Sequence, residues 1–157
     1  MISFISPPGI PVAMIPELRQ VTTTEELTGA KSVRRAVFIK EQNVPEEIEM
    51  DEHDTEAIHV ICLVGGKIVG TGRLVEMPDG MKLGRVAVLP THRNSGIGTA
   101  IVKWLLGRAV KSGHQEVYAN VQLTARFFYE KLGFKAEGDN FYEAGIEHVR
   151  MTSITTG

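Results

Sequence analysis

Arg93, Gly96 and Gly98 stand in the run Arg93-Asn94-Ser95-Gly96-Ile97-Gly98, directly ahead of a stretch in which Ile101, Val102, Leu105, Leu106, Ala109 and Val110 recur at helical spacing. The first backbone N–H groups of a helix lack internal partners and the helix dipole adds partial positive charge there, so this arrangement is suited to holding an anion. Two glycines let a phosphate come close to the main chain, and Arg93 supplies a cation at the rim. A P-loop is excluded because no Lys-Ser/Thr pair follows the glycines. A dinucleotide fingerprint fails too, since Gly-x-Gly follows Arg-Asn-Ser in mid-chain. A turn that needs glycine for its geometry alone would read the same way, so a second signature has to decide.

That signature is Ala125-Arg126-Phe127-Phe128-Tyr129-Glu130-Lys131-Leu132-Gly133-Phe134, a short helix closed by Gly133 ahead of a strand. In this order the two segments resemble motif A, Arg/Gln-x-x-Gly-x-Gly/Ala, and the later A-x-x-x-Y-E-K-L-G-F segment of the GNAT superfamily of acyl-CoA-dependent N-acyltransferases. The resemblance runs over roughly residues 16 to 154. It implies acetyl-CoA as co-substrate, with its pyrophosphate over Asn94, Ser95, Gly96, Ile97, Gly98 and Thr99 within reach of Arg93. It also implies a pantetheine arm along the main chain of Val86, Ala87 and Val88, which a splay between the fourth and fifth strands would free. Phe128 would lie beside CoA. Gln122 holds the position where most GNAT proteins carry an asparagine, and Asn94 stands where a glycine often follows the arginine; Asn tolerates left-handed backbone.

Two further segments, Val37-Phe38-Ile39-Lys40-Glu41-Gln42-Asn43-Val44-Pro45 and Glu143-Ala144-Gly145-Ile146-Glu147-His148, resemble the V-F-x-x-E-Q-x-V-P and E-x-G-I-x-H segments of the YjcF/ElaA-type branch. That likeness implies an acceptor pocket lined by Glu41, Gln42, Glu143 and His148.

Acylating an amine with a thioester requires a neutral nitrogen, a stabilised oxyanion and a proton for the departing thiolate. A backbone N–H on the splayed strand, that of Val88, answers the second need. Tyr129 matches the family tyrosine and answers the third, as a phenol of pKa ~10 held close to the sulfur. The base is open. The strand from Leu83 to Leu89 contains no carboxylate, so the candidates are Glu143, His148, Glu41 and Asp51, or water. His148 has the intrinsic pKa for the task. The implied activity is direct transfer, most simply of acetyl, to a primary amine; the alternative is a CoA-binding or sensing module without catalysis. Cys62, inside an apolar run, is expected to be a buried thiol without a catalytic role.

The elements that must position these residues follow from periodicity and turn signals. Residues 15 to 21 read as a first strand, and Thr23-x-x-Glu26 as a capping box for a helix with an apolar stripe of Leu27, Ala30, Val33, Val37 and Phe38, Arg34 and Arg35 lying beside it. The segment from Glu41 to Glu56 carries eight of the nineteen carboxylates and reads as a loop with short helical turns, most of its charges in solvent. Any part of it facing the pocket would make the field there negative and attract an ammonium. Residues 58–64 and 67–75 form a hairpin over Gly65-Gly66, the central strand follows, and further strands begin at Glu116, Phe134 and His148. The expected fold is α/β: a mixed, mostly antiparallel sheet of about seven strands flanked by helices, with an N-terminal extension over residues 1–14 and one domain over 15–157.

With 157 residues, 23% charged and a net charge of −2, the chain has an ordinary composition and no basic footprint for nucleic acid. The proline-broken leader lacks a signal-peptide pattern, and no stretch approaches a membrane span; a cytoplasmic enzyme is expected, without a metal, its partner a small-molecule amine and a homodimer its possible assembly.

Overall fold

A computed structural model describes residues 14–154. The expected extension over residues 1–14 lies outside the described residues apart from Met14. Seven strands form one sheet in the order β1-β2-β3-β4-β5-β7-β6. They are β1 (Glu17–Gln20), β2 (Ile58–Val64), β3 (Lys67–Met77), β4 (Gly80–Val88), β5 (Glu116–Gln122), β6 (Lys135–Glu143) and β7 (Ile146–Ile154). Pairing is antiparallel except between β4 and β5.

Helix α1 (Thr24–Arg34) starts at the expected capping box, in which Thr23 Oγ accepts from Glu26 N–H at 3.1 Å and Glu26 Oε1 accepts from Thr23 N–H at 3.2 Å. It widens into a π-helical segment, Arg35–Glu41, which brings Glu41 and Gln42 out over the sheet. A short α2 (Glu46–Glu49) follows. The core sits mainly between the sheet and α3 (Ile97–Lys111), whose Ile101, Val102, Leu105 and Ala109 are fully buried against Val60, Leu74, Leu83, Val117 and Met151. Gly72 on β3 permits this approach: a Cβ there would stand 2.8 Å from Ile101 and Leu105 side-chain atoms. Finally α4 (Arg126–Lys131) packs Tyr129 edge-on between Phe128 and Phe134.

Two irregularities in β4 create the site. Arg73 pairs with Gly84 and Thr71 with Ala87, so Gly72 alone faces both Arg85 and Val86; this is a β-bulge, and Arg85 takes φ 53° in it. β4 and β5 pair only at Met81↔Val117 and Lys82↔Tyr118, after which they part. The splay expected between the fourth and fifth strands is therefore present, with its vertex at Lys82.

Candidate active site

The gap between β4 and β5 opens into a cavity of about 700 Å³. Nearly every residue singled out from the sequence borders it: Glu41, Gln42, Val86, Ala87, Val88, Arg93, Asn94, Gly96, Ile97, Gly98, Thr99, Gln122, Phe128, Tyr129, Glu143 and His148. Ser95 does not line it; its hydroxyl instead caps the preceding turn, donating to His92 O at 2.5 Å.

At one end the cavity meets the N-terminus of α3. Gly96 has φ 85° and a Cβ there would meet nothing within 4 Å, so the main chain is open to a ligand; Asn94 takes φ 61°, as its side chain allows. No side chain caps α3, and its first N–H groups face outward as donors. This donor set fits a pyrophosphate. Arg93 is placed differently from expectation. Its two terminal nitrogens donate to the two Glu41 carboxylate oxygens at 2.8 and 2.7 Å, while its Nε donates to Val88 O at 2.9 Å. The bond from Arg93 keeps the Glu41 carboxyl below its ordinary value. Arg93 thus ties the π-helical segment to β4, and its charge is already matched.

Along the gap, Leu89 N–H donates to Val69 O at 2.9 Å. Antiparallel alternation then turns the polar groups of Val88 away from β3 and those of Ala87 toward it, which agrees with the Arg93 bond to Val88 O. Val88 keeps a main-chain donor facing the gap, whereas Ala87 does not. Across from it Gln122 Nε2 donates to Gln42 Oε1 at 2.7 Å, joining two residues expected to serve different substrates.

Of the base candidates, Glu143 and His148 come together at the cavity. His148 Nδ1 lies 2.7 Å from Ile146 O; a carbonyl can only accept, so Nδ1 carries the proton and the lone pair of neutral His148 is on Nε2. Nε2 is 4.0 Å from Glu143 Oε2, and Asn120 Nδ2 donates to Glu143 Oε1 at 2.9 Å. Phe141 stacks on the imidazole. Asn120 was not foreseen, although its position two residues before Gln122 on one strand puts both on the same face. Glu41 is occupied by Arg93. Asp51 is engaged by Arg73 at 2.7 Å and by Arg85 at 3.1 Å and does not border the cavity.

Of the acidic segment's eight carboxylates, Glu41, Glu46, Glu47, Glu52 and Glu56 are exposed, as expected for most of them, and Glu49, Asp51 and Asp54 depart from that. Glu49 and Asp54 are buried, not solvated, and Arg34, placed beside the apolar stripe by the sequence, is 1% exposed. Arg34 bonds to Glu49 and Asp54, Arg73 to Asp51 and Asp54, and Arg85 to Glu49 and Asp51. Burial raises the Glu49 carboxyl despite its arginines; burial acts the same way on Asp51, but there the bonds from Arg73 and the charge of Arg85 prevail and hold it at about 2. Within this cluster three arginines face three carboxylates, and the segment's two carboxylates that border the cavity, Glu41 and Glu49, are both paired with arginine.

Burial also pushes the Tyr129 phenol well above its ordinary value and the Cys62 thiol up to about 11. Cys62 is fully buried and stays a thiol. Among the described residues no group of His, Cys, Asp and Glu could hold a metal ion, and no helix is long and apolar enough to cross a membrane.

A splayed mixed sheet with an uncapped helix start on one side of the gap and a paired carboxylate and imidazole on the other points to an acyltransferase of the GNAT type. The chain belongs to that family: the acetyltransferase (GNAT) domain model matches residues 19–154. It is 43% identical over 129 residues to the uncharacterized N-acetyltransferase YjcF of Bacillus subtilis, covering 81% of this chain and 91% of that one. Its fold is similar to that of ElaA from Escherichia coli, with a TM-score of 0.79 at 22% identity over 88% of this chain and 99% of the other. It is also similar in fold to a GNAT family acetyltransferase from Elizabethkingia anophelis, solved with acetyl-CoA bound, with a TM-score of 0.69 at 13% identity over 88% and 97% of the two chains.

Proposed function

We propose that the protein transfers an acetyl group from acetyl-CoA directly to a primary amine, both substrates being held in the β4–β5 gap. The observation that carries this reading is that one cavity has the open N–H groups of α3 at one end and is bordered by the Asn120–Glu143–His148 group as well. In this reading the N–H groups from Asn94 to Thr99 take the pyrophosphate, and Phe128, beside Gly98, bounds that part of the site. The Arg93–Glu41 pair holds the wall of the cavity rather than the phosphate. The N–H of Val88 stabilises the oxyanion as the amine attacks. Nε2 of His148 takes the amine proton, directly or through water, with Glu143 fixed by Asn120 to steady the resulting imidazolium. Tyr129, protonated at every working pH, gives a proton to the departing thiolate, and the tyrosinate and the His148 imidazolium return to their starting states by net transfer of the amine's proton through solvent. An enzyme of this kind would work where acetyl-CoA is made, in the cytoplasm.

The test is acetyl-CoA turnover with a panel of amines, followed by free CoA, alongside CoA binding by calorimetry. Amine-dependent release in the wild type, reduced about 10²-fold or more in His148→Ala, is expected. Binding of CoA without turnover of any amine would favour a CoA-sensing module instead.

A further inference from the structure

The charged side chains bordering the cavity are spoken for, with one exception. Arg93 is held by both oxygens of Glu41. Arg85 is surrounded by Glu49 Oε2 at 3.0 Å, Asp51 Oδ2 at 3.1 Å and Ile48 O at 3.1 Å. Glu143 is held by Asn120. Lys82 lines the same cavity yet makes no ion pair or hydrogen bond among the described residues. Burial pushes its ammonium down and the charge of Glu143 works against that, which places the two in one electrostatic neighbourhood.

Position assigns this cation to the acceptor rather than to CoA. Lys82 pairs with Tyr118 at the vertex of the splay. Val88, where the gap meets the phosphate loop, lies six residues further along the strand, about 20 Å away at the usual rise. Tyr118, Asn120 and Gln122 alternate onto one face of β5, so the Asn120–Glu143 pair is the first polar group met on leaving the vertex. An ammonium partly withdrawn from water and without a direct ion pair or hydrogen bond is poorly solvated, and a ligand anion would relieve this.

We infer that the acceptor is an amino acid or a close analogue, its carboxylate bound by Lys82 and its amine delivered to Glu143 and His148. This rests on the N-acetyltransferase reading above and narrows its substrate class. The carboxylate and the ammonium of such a zwitterion are complementary to Lys82 and Glu143 in turn. A simple amine would satisfy Glu143 and leave Lys82 without a partner. Other anions, such as a second phosphate, would meet Lys82 but bring no amine.

The experiment measures kcat/KM for a panel of free amino acids, each beside its carboxamide and its decarboxylated amine, by release of CoA from acetyl-CoA. In the wild type the preferred amino acid should exceed both of its analogues by about tenfold or more. In Lys82→Gln that ratio should fall toward one, Lys82→Arg should keep it, and Lys82→Glu should invert it in favour of the carboxamide. If amines are acetylated but the carboxylate brings no advantage in the wild type, the inference is overturned while the N-acetyltransferase reading stands, and this comparison requires no variant to fold. If Lys82→Gln slows amino acids and carboxamides equally in a protein that melts like the wild type, Lys82 does not recognise the carboxylate and the inference again fails. If no member of the panel supports CoA release although acetyl-CoA binds, both the inference and the reading beneath it fall.

Discussion

Tyr129 shows how far a residue's chemistry can be read from its type and where surroundings take over. The motif that resembles the GNAT segment points to a phenol near the sulfur; the edge-on rings of Phe128 and Phe134 and its burial make it a weaker acid than a free tyrosine. It remains protonated across the working range, so Tyr129→Phe should lower kcat by about a hundredfold, the low end for general acid catalysis, with little change in the acetyl-CoA KM. A loss below about threefold would reduce Tyr129 to a packing role. The same reasoning makes Cys62 a spectator. Its thiol is raised to about 11 by burial in the core, so Cys62→Ala should retain most activity, and mass spectrometry after mixing with acetyl-CoA should find no acetylated Cys62. Local signals of this kind were legible: Thr23 with Glu26, left-handed Asn94, buried Cys62. Arg34 was not, because its partners Glu49 and Asp54 lie 15 and 20 residues away and only the fold brings them together.

At the scale of elements, strands and turns were legible because alternation and turn residues are local, and β2 begins and ends where the hairpin signals place it. The bulge at Arg85 and the π-helical segment after α1 were not, since each depends on how one element registers against another. Both shape the cavity: the bulge lies on β4 beyond the point where it parts from β5, and the π-helical segment sets Glu41 on Arg93. The strand–loop–helix unit provides the sharpest test. At Gly96 there is space for a side chain within the protein, but φ 85° strains any other residue and the added atoms would project into the region assigned to phosphate. Gly96→Val should therefore cost only about 1–2 kcal/mol of stability while weakening CoA binding well over tenfold by calorimetry. Unchanged affinity in a folded variant would move the pyrophosphate elsewhere.

Across the whole molecule, the six-charge cluster links α1 through Arg34, the acidic segment through Glu49, Asp51 and Asp54, β3 through Arg73 and the β4 bulge through Arg85. Three carboxylates of a run whose others are exposed thus form a clamp that holds the segment ahead of β2 to the sheet. Its electrostatics have a defined pH signature. Asp51 is depressed from 3.8 to about 2, and Asp54 is depressed as well, its burial outweighed by Arg34 and Arg73. A depressed carboxylate adds stability that is complete above its unfolded pKa and vanishes as pH falls through the folded one, so both stabilise the fold above about pH 4, and the contribution of Asp51 is lost toward pH 2. Glu49 has the opposite sign. Burial raises it, so its contribution is present below its unfolded pKa and is lost as pH rises above that value through the folded one, which partly offsets the gain from the other two. Urea unfolding of the wild type should show stability dropping between pH 4 and pH 2, with Asp51 responsible for about 2 kcal/mol of the change. Asp51→Asn should be less stable at pH 7, because Arg73 and Arg85 lose a counter-charge, and should lose less on acidification than the wild type does. An equal acid loss in both proteins would mean that the Asp51 ion pairs contribute nothing to holding the clamp closed.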